Sequence, residues 1–278
     1  MSKRLELFVV VKGHAYSRDA FEAMLRSISG VEPTMVDQPA AAMLLNPDAM
    51  CRFDAILFYD MPGLDFRAPV QERPAAVPPE PSLVAGFNAL LAEGKGIVAL
   101  HHAIAGWPAW EAYAEALGGA FLYKPGTVRG VDRPDSRYAA DVAYRVRRVA
   151  GEHPVLAGIP ETFELVDEPY IYEVFDDGGL EPLLYRDTPI AADQFLSARQ
   201  AVRRETQIPW DGNDPAPHAL IGWAKAAGNS PVVYLQPGDG PATYAHPHYR
   251  TLVGNAIHWV SSPEGQAWAK ARHCDKGN

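Results

Sequence analysis

Cysteine is nearly missing from this chain: 278 residues carry only Cys51 and Cys274. Two thiols so far apart, with no CxxC spacing, build neither a disulfide framework nor a thiolate metal centre. Cys274, in a polar tail, reads as a free thiol. Long apolar runs are missing too, and nothing approaches the roughly 20 residues of a membrane helix. The opening MSKRLELFVV has too short an apolar segment for a signal peptide and reads as a first strand. These absences predict a soluble, cytoplasmic protein with no membrane partner. Positive charge is in deficit, 25 Lys+Arg against 34 acids, for a net charge of −9. Such a field repels phosphate backbones and argues against a nucleic-acid partner. Arg145, Arg147 and Arg148 alternate along a strand-like segment and read as a solvated face, as does the short pair Arg203-Arg204.

Several motifs are absent as well. Without GxGxxG the main sequence argument for a nicotinamide cofactor falls away. Without GxSxG there is no serine nucleophile elbow, and without HExxH no zincin helix. The sequence therefore assigns no cofactor and no metal, while its histidines leave a divalent ion such as zinc open.

What remains is an ordinary globular composition, 47% apolar and 21% charged, organised as one α/β domain over residues 1–278. RLELFVVV, PTMVDQP, FDAILFYD and GIVAL read as strands. SRDAFEAMLRSI, with apolar Phe21, Met24, Leu25 and Ile28, reads as a helix capped by Ser17. PAAAMLL reads as a short helix, and LVAGFNALLAEG as a helix capped by Ser82 and closed by Gly94. This βαβ rhythm predicts a mostly parallel sheet with helices on both faces. The five prolines of residues 67–81 predict a surface loop over a cleft. WPAWEAYAEALGG is expected as one helix. From about 120 to 230 alternating segments broken by turns predict additional antiparallel strands. His246-Pro-His248 is expected to open a helix, and residues 272–278 to form a mobile tail.

In an open α/β sheet, ligands bind beyond the carboxyl ends of the strands. Three strand ends bring polar groups there: Gly13-His14, Asp60, and His101-His102 in GKGIVALHHAIAGW. On a regular strand His101 and His102 would face opposite ways, so one faces the cleft and the other packs. VDEPY (166–170) supplies Asp167 and Glu168 beside aromatic rings, a composition suited to sugar hydroxyls; a strand edge with exposed acids fits it equally. PGDGPATY (237–244) is a glycine turn whose amides could hold an anion or hydroxyl; a plain tight turn is the default.

GKGIVALHHAIAGW with WEAYAEALGGAF behind it, HPVLAGIPETFELVDEPYIY, and PVVYLQPGDGPATYAHPHYRTLVGNAIHWV span roughly residues 94 to 260. In order and spacing they resemble the ThuA-like (trehalose utilisation) family. The resemblance implies a flavodoxin-like, class I glutamine amidotransferase-like three-layer sandwich. It places His101 at or next to the elbow where the amidotransferases carry a nucleophilic cysteine, so Cys-dependent glutaminase activity is not expected. The family's glycine-histidine-glycine turn is here Gly238-Asp239-Gly240, which puts a histidine-dependent role at that turn in doubt.

The function implied is carbohydrate utilisation, with a small sugar or keto-sugar bound at the strand ends. If catalytic, the protein is a hydrolase, lyase or isomerase working by acid/base chemistry. The catalytic candidates are His101, His102 and Asp239; the substrate-binding candidates are His14, Asp60, Trp107, Glu168 and Tyr170. Two rival readings stand beside this one: a silent sugar-binding or regulatory module on the same scaffold, and a metal-assisted hydrolase using His14, His101 or His102 with a carboxylate. A homo-oligomer is left open.

Overall fold

The computed structural model describes residues 4–208, 210 and 219–275. Nine strands form one sheet: β1 (Leu5–Lys12), β2 (Val31–Asp37), β3 (Ala55–Asp60), β4 (Gly96–Leu100), β5 (Val142–Arg148), β6 (Thr162–Asp167), β7 (Leu180–Arg186), β8 (Leu220–Ala227) and β9 (Ser230–Leu235). Their order across the sheet is β6-β5-β7-β8-β9-β4-β3-β1-β2. The five strands from β9 to β2 run parallel. The four on the other side are antiparallel additions. This is the expected parallel core with antiparallel strands attached.

Strand alternation divides the core into two layers. Leu7, Val9, Val11, Leu57, Val98 and Val233 face one side. They pack on Phe21 and Leu25 of α1 (Arg18–Arg26) and on Val253 and Ile257 of a long C-terminal helix (Pro247–Val260). Phe8, Val10, Ile56, Phe58, Ile97 and Val232 face the other side. They meet Leu83, Phe87 and Leu90 of α2 (Pro81–Glu93) and Tyr113 and Leu117 of α3 (Glu111–Leu117). Because both faces are covered, the parallel strands are near-continuous apolar runs with no polar alternation.

Local punctuation differs from expectation in places. Ser17 sits at the N-cap of α1 but makes no side-chain capping bond. α2 begins at Pro81 with Glu80 at its N-cap, so Ser82 lies inside the first turn. Pro81 supplies the fixed φ and missing N–H that favour the first helical position. Gly94 closes α2 at φ +86, as its position predicted. The segment after the histidine pair is not one helix. A 3₁₀ turn (His101–Ala105) comes first, Trp107 takes φ +51, and α3 starts only at Glu111.

His246 does open the helix Pro247–Val260. On β5 Arg145 is exposed and Arg147 half-buried, paired with Glu164 and Asp187, and Arg148 is half-buried as well. The proline-rich loop is tied down where Arg203 donates to the Arg73 carbonyl at 3.0 Å. The final helix, Pro263–Asp275, takes in the start of the expected tail. Residues 276–278 and the Cys274 side chain lie outside the described residues. Among the described residues no helix is long and apolar enough to cross a membrane.

Candidate functional site

β4 ends in a sharp elbow. Leu100 is still extended, at φ −117 and ψ 137. His101 then turns into the left-handed region at φ +47, a conformation that costs an L-residue with a side chain free energy. The bend removes both histidines from the strand alternation assumed from sequence. Their rings stand nearly perpendicular, at 83°, with centroids 5.5 Å apart.

His101 is fully buried. Its Nδ1 donates to the Gln236 carbonyl at 2.7 Å, just beyond β9. A carbonyl only accepts, so this bond puts a hydrogen on Nδ1 and aims Nε2 elsewhere. Nε2 lies 2.7 Å from Tyr170 Oη and 3.5 Å from both Glu168 Oε1 and Asp239 Oδ1. Burial pulls the His101 pKa down. Hydrogen bonding to Asp239 and Glu168, with the nearby Asp167 charge, outweighs burial and lifts it to about 10. His101 is therefore an imidazolium at neutral pH.

The turn that delivers Asp239 is clamped from several sides. Asp167, at the end of β6, accepts from the Gly238 N–H at 2.6 Å and the Asp239 N–H at 2.9 Å. Tyr59 donates to the Gly238 carbonyl, Tyr244 to that of Asp239, and Tyr249 to that of Pro237. Gly238 has φ +137, and a Cβ there would lie 2.3 Å from Tyr249 Oη and 3.5 Å from His101 Cβ. Only glycine fits this approach. Gly13, at φ +104, meets a similar limit: its Cβ would lie 2.4 Å from the Met61 carbonyl oxygen.

A cavity of about 450 Å³ opens beside this cluster, within the size range of small-molecule sites. Its polar lining is His14, His102, Tyr123, Tyr138, Glu168 and Tyr170. His102 is buried, with Nε2 3.3 Å from the Tyr59 carbonyl and no partner for Nδ1. Burial first, then the neighbouring His14 and His101, hold it well below the usual imidazole range. His14 lies 4.7 Å from the His102 ring and is also shifted down, by burial and by His101, despite the opposing pull of Glu168 and Asp239. Both are neutral imidazoles at pH 7.

The structure thus brings together His14, His101, His102, Glu168, Tyr170 and Asp239. His101 and Asp239 are not among the residues lining the cavity: His101 lies behind Glu168 and Tyr170. Asp60 and Trp107 do not join the group. Asp60 is buried beneath the strand ends, where Oδ2 accepts from Gln38 at 2.8 Å and Oδ1 has no partner. Burial raises its pKa to about 7. Trp107 lines a neighbouring cavity of about 560 Å³ that shares Gly13 and Met61 with the first. Phe66 of the segment leading into the proline-rich loop reaches the first cavity, and Val77 and Pro78 reach the second.

Sequence reasoning missed Tyr123, Tyr138, Gln236 and the clamping role of Asp167. For Asp167 a signal existed: it precedes Glu168 at a strand end, so the two carboxylates must point to opposite sides. The residue at the β4 elbow is His101, and Cys51 is exposed in the turn before β3.

The fold is a flavodoxin-like α/β sandwich, with a buried imidazole at the β4 elbow. The chain belongs to the ThuA family, described as trehalose utilisation, whose profile matches residues 7–260. It is similar to a ThuA-like protein from Parabacteroides merdae, at 11% identity and a TM-score of 0.65, with 94% of this chain and 91% of that one covered. A ThuA-like protein from Bacteroides uniformis shares 16% identity at a TM-score of 0.59, with coverages of 93% and 91%. PurLQS from Thermotoga maritima shares 12% at a TM-score of 0.52, with coverages of 92% and 99%. At these identities the likeness speaks to fold alone. No curated protein sequence matches.

Proposed function

We propose that the protein acts in carbohydrate utilisation by binding a small sugar or keto-sugar in the 450 Å³ cavity and exchanging protons with it. The observation that carries this reading is the lining itself: phenols and neutral imidazoles surround one carboxylate, Glu168, which is backed by the buried His101 cation. Phenols and imidazoles offer hydroxyl partners and flat apolar faces, the combination a sugar ring requires. Neutral His14 is suited to take a proton from a sugar hydroxyl or from a carbon beside a ketone. Glu168 faces the same space. His101 moves from the expected acid/base role to a supporting one: as a fixed cation behind the lining it orients Glu168, Tyr170 and Asp239. Isomerisation, elimination or hydrolysis of a keto-disaccharide all use this arrangement. The cytoplasm is the proposed setting, in keeping with the scarcity of cysteine and with a similar fold described as a cytoplasmic protein from Salmonella typhimurium LT2.

The test is a panel of disaccharides and their keto derivatives, with binding and turnover measured separately. Glu168→Gln should retain the fold and lower turnover by about 10²–10⁴-fold, the usual contribution of a positioned proton-transfer group. Unchanged turnover in that variant refutes the assignment. Sugar binding without turnover anywhere in the panel would instead favour a silent binding module, a reading consistent with the missing thiol at the elbow.

A further inference from the structure

We propose that His101 Nε2, Glu168 Oε1 and Asp239 Oδ1 form a binding site for one divalent transition-metal ion per chain. This rests on the reading of the cleft given above, with the ion taking over the positive charge assigned there to His101 and able to polarise a substrate oxygen. The three donors come from three separated strand ends, those of β4, β6 and β9, and their atoms lie within 4.8 Å of one another. Nε2 is 3.5 Å from each carboxylate oxygen, long for a charged hydrogen bond but close to the spacing of ligands sharing an ion. From these separations, an ion in the plane of the three donors and equidistant from them lies at most about 2.4 Å from each, against roughly 2.0–2.2 Å for zinc to nitrogen or oxygen.

The surroundings are arranged as metal sites require. Nδ1–H of His101 is committed to the Gln236 carbonyl, the outer bond that fixes a ligating histidine and leaves Nε2 for the ion. Asp239 is held in place through the two amides that Asp167 binds. Two carboxylates face one imidazole, an excess of negative charge that a cation offsets. His14, in ring contact with His102, keeps a buried Nδ1 with no hydrogen-bond partner. Glu168 lines the cavity and the Asp239 side chain is 34% exposed, so the ion would retain an open side towards substrate. One nitrogen with two carboxylate oxygens suits Zn²⁺ or Mn²⁺. On binding, the ion replaces a proton at Nε2, and Tyr170 Oη gives up its contact with that nitrogen.

The experiment strips the full-length protein with chelator, then titrates it calorimetrically with ZnCl₂ and, separately, MnCl₂. The His101 ring resonances are followed by NMR. The expected result is saturation at one ion per chain with a shift of the His101 signals. Glu168→Gln and Asp239→Asn, each checked for folding by circular dichroism, should weaken binding by about 100-fold or more. No saturable binding, equal binding by both variants, or an unmoved His101 signal overturns the proposal. Sugar binding is measured in parallel on the metal-stripped protein and on the protein reloaded with ZnCl₂ or MnCl₂. Sugar binding without metal binding overturns the metal site alone, whereas metal binding without sugar binding overturns the sugar reading alone.

Discussion

Replacing Asp167 with asparagine tests whether charge holds the glycine turn beneath His101. The carboxylate accepts from two backbone amides, at 2.6 and 2.9 Å, and bonds to a charged acceptor contribute about 1.5–3 kcal/mol each. Asparagine keeps one acceptor oxygen and turns an NH₂ group towards the other amide, so one bond is lost and two buried donors face each other. The expected destabilisation is about 3 kcal/mol, or about 6–12 °C in Tm for a protein of this size.

The pH dependence sharpens the test. The folded pKa of His101 is raised to about 10, with the nearby Asp167 charge among the causes. A raised imidazole pKa gives stability that is fully present below the unfolded value near 6.5 and is lost as pH rises through 10. Asp167→Asn lowers that pKa, so the gap between variant and wild type is largest near pH 7 and narrows by pH 10. Urea unfolding at pH 7 and pH 9.5, with NMR titration of the His101 ring, reads both effects. A variant within about 0.5 kcal/mol of wild type at pH 7, with His101 titrating unchanged, refutes the reasoning.

Two further substitutions probe the scaffold. The Asp60 carboxyl is buried and its pKa raised to about 7, so its contribution to stability is present below 3.8 and is lost as pH rises through 7. That window spans up to about 4 kcal/mol. Asp60→Asn should flatten the stability curve there and gain on wild type by pH 8, as followed by urea unfolding; an unchanged curve counts against a strained carboxylate. Gly238→Ala should cost about 2 kcal/mol, because the backbone at φ +137 strains any side chain and the new Cβ meets Tyr249 Oη. Melting curves and sugar titration should register that cost together with weakened binding, and normal values for both would show that the turn can move freely.

The sequence made the parallel core legible because buried parallel strands are apolar throughout and end abruptly. LFVVV, AILFY and GIVAL could hardly be anything else. It also led to the edge of the sheet where His14, His101 and His102 gather. What it could not show was which way a strand-end residue turns. Asp60 points into the protein to meet Gln38, a partner 22 residues earlier that no spacing rule links to it. His101 leaves strand geometry through a positive φ that its residue type does not advertise. Its decisive neighbours, Gln236, Asp239, Glu168 and Tyr170, lie 67 or more residues away in sequence and become neighbours only through sheet order.

The sheet order also sets when the protein can exist. β9 occupies the middle of the sheet, between β8 and β4, yet comes last of the nine strands in chain order among the described residues. Until the ribosome has released residues past Leu235, β4 presents a bare central edge to solvent. Edges of this kind invite pairing with other chains, and long-range pairings close slowly. A chain truncated before residue 230 would lack the keystone of its sheet, along with the turn that carries Asp239. Quality control is thus written into the topology, since no partly finished copy can assemble the cleft.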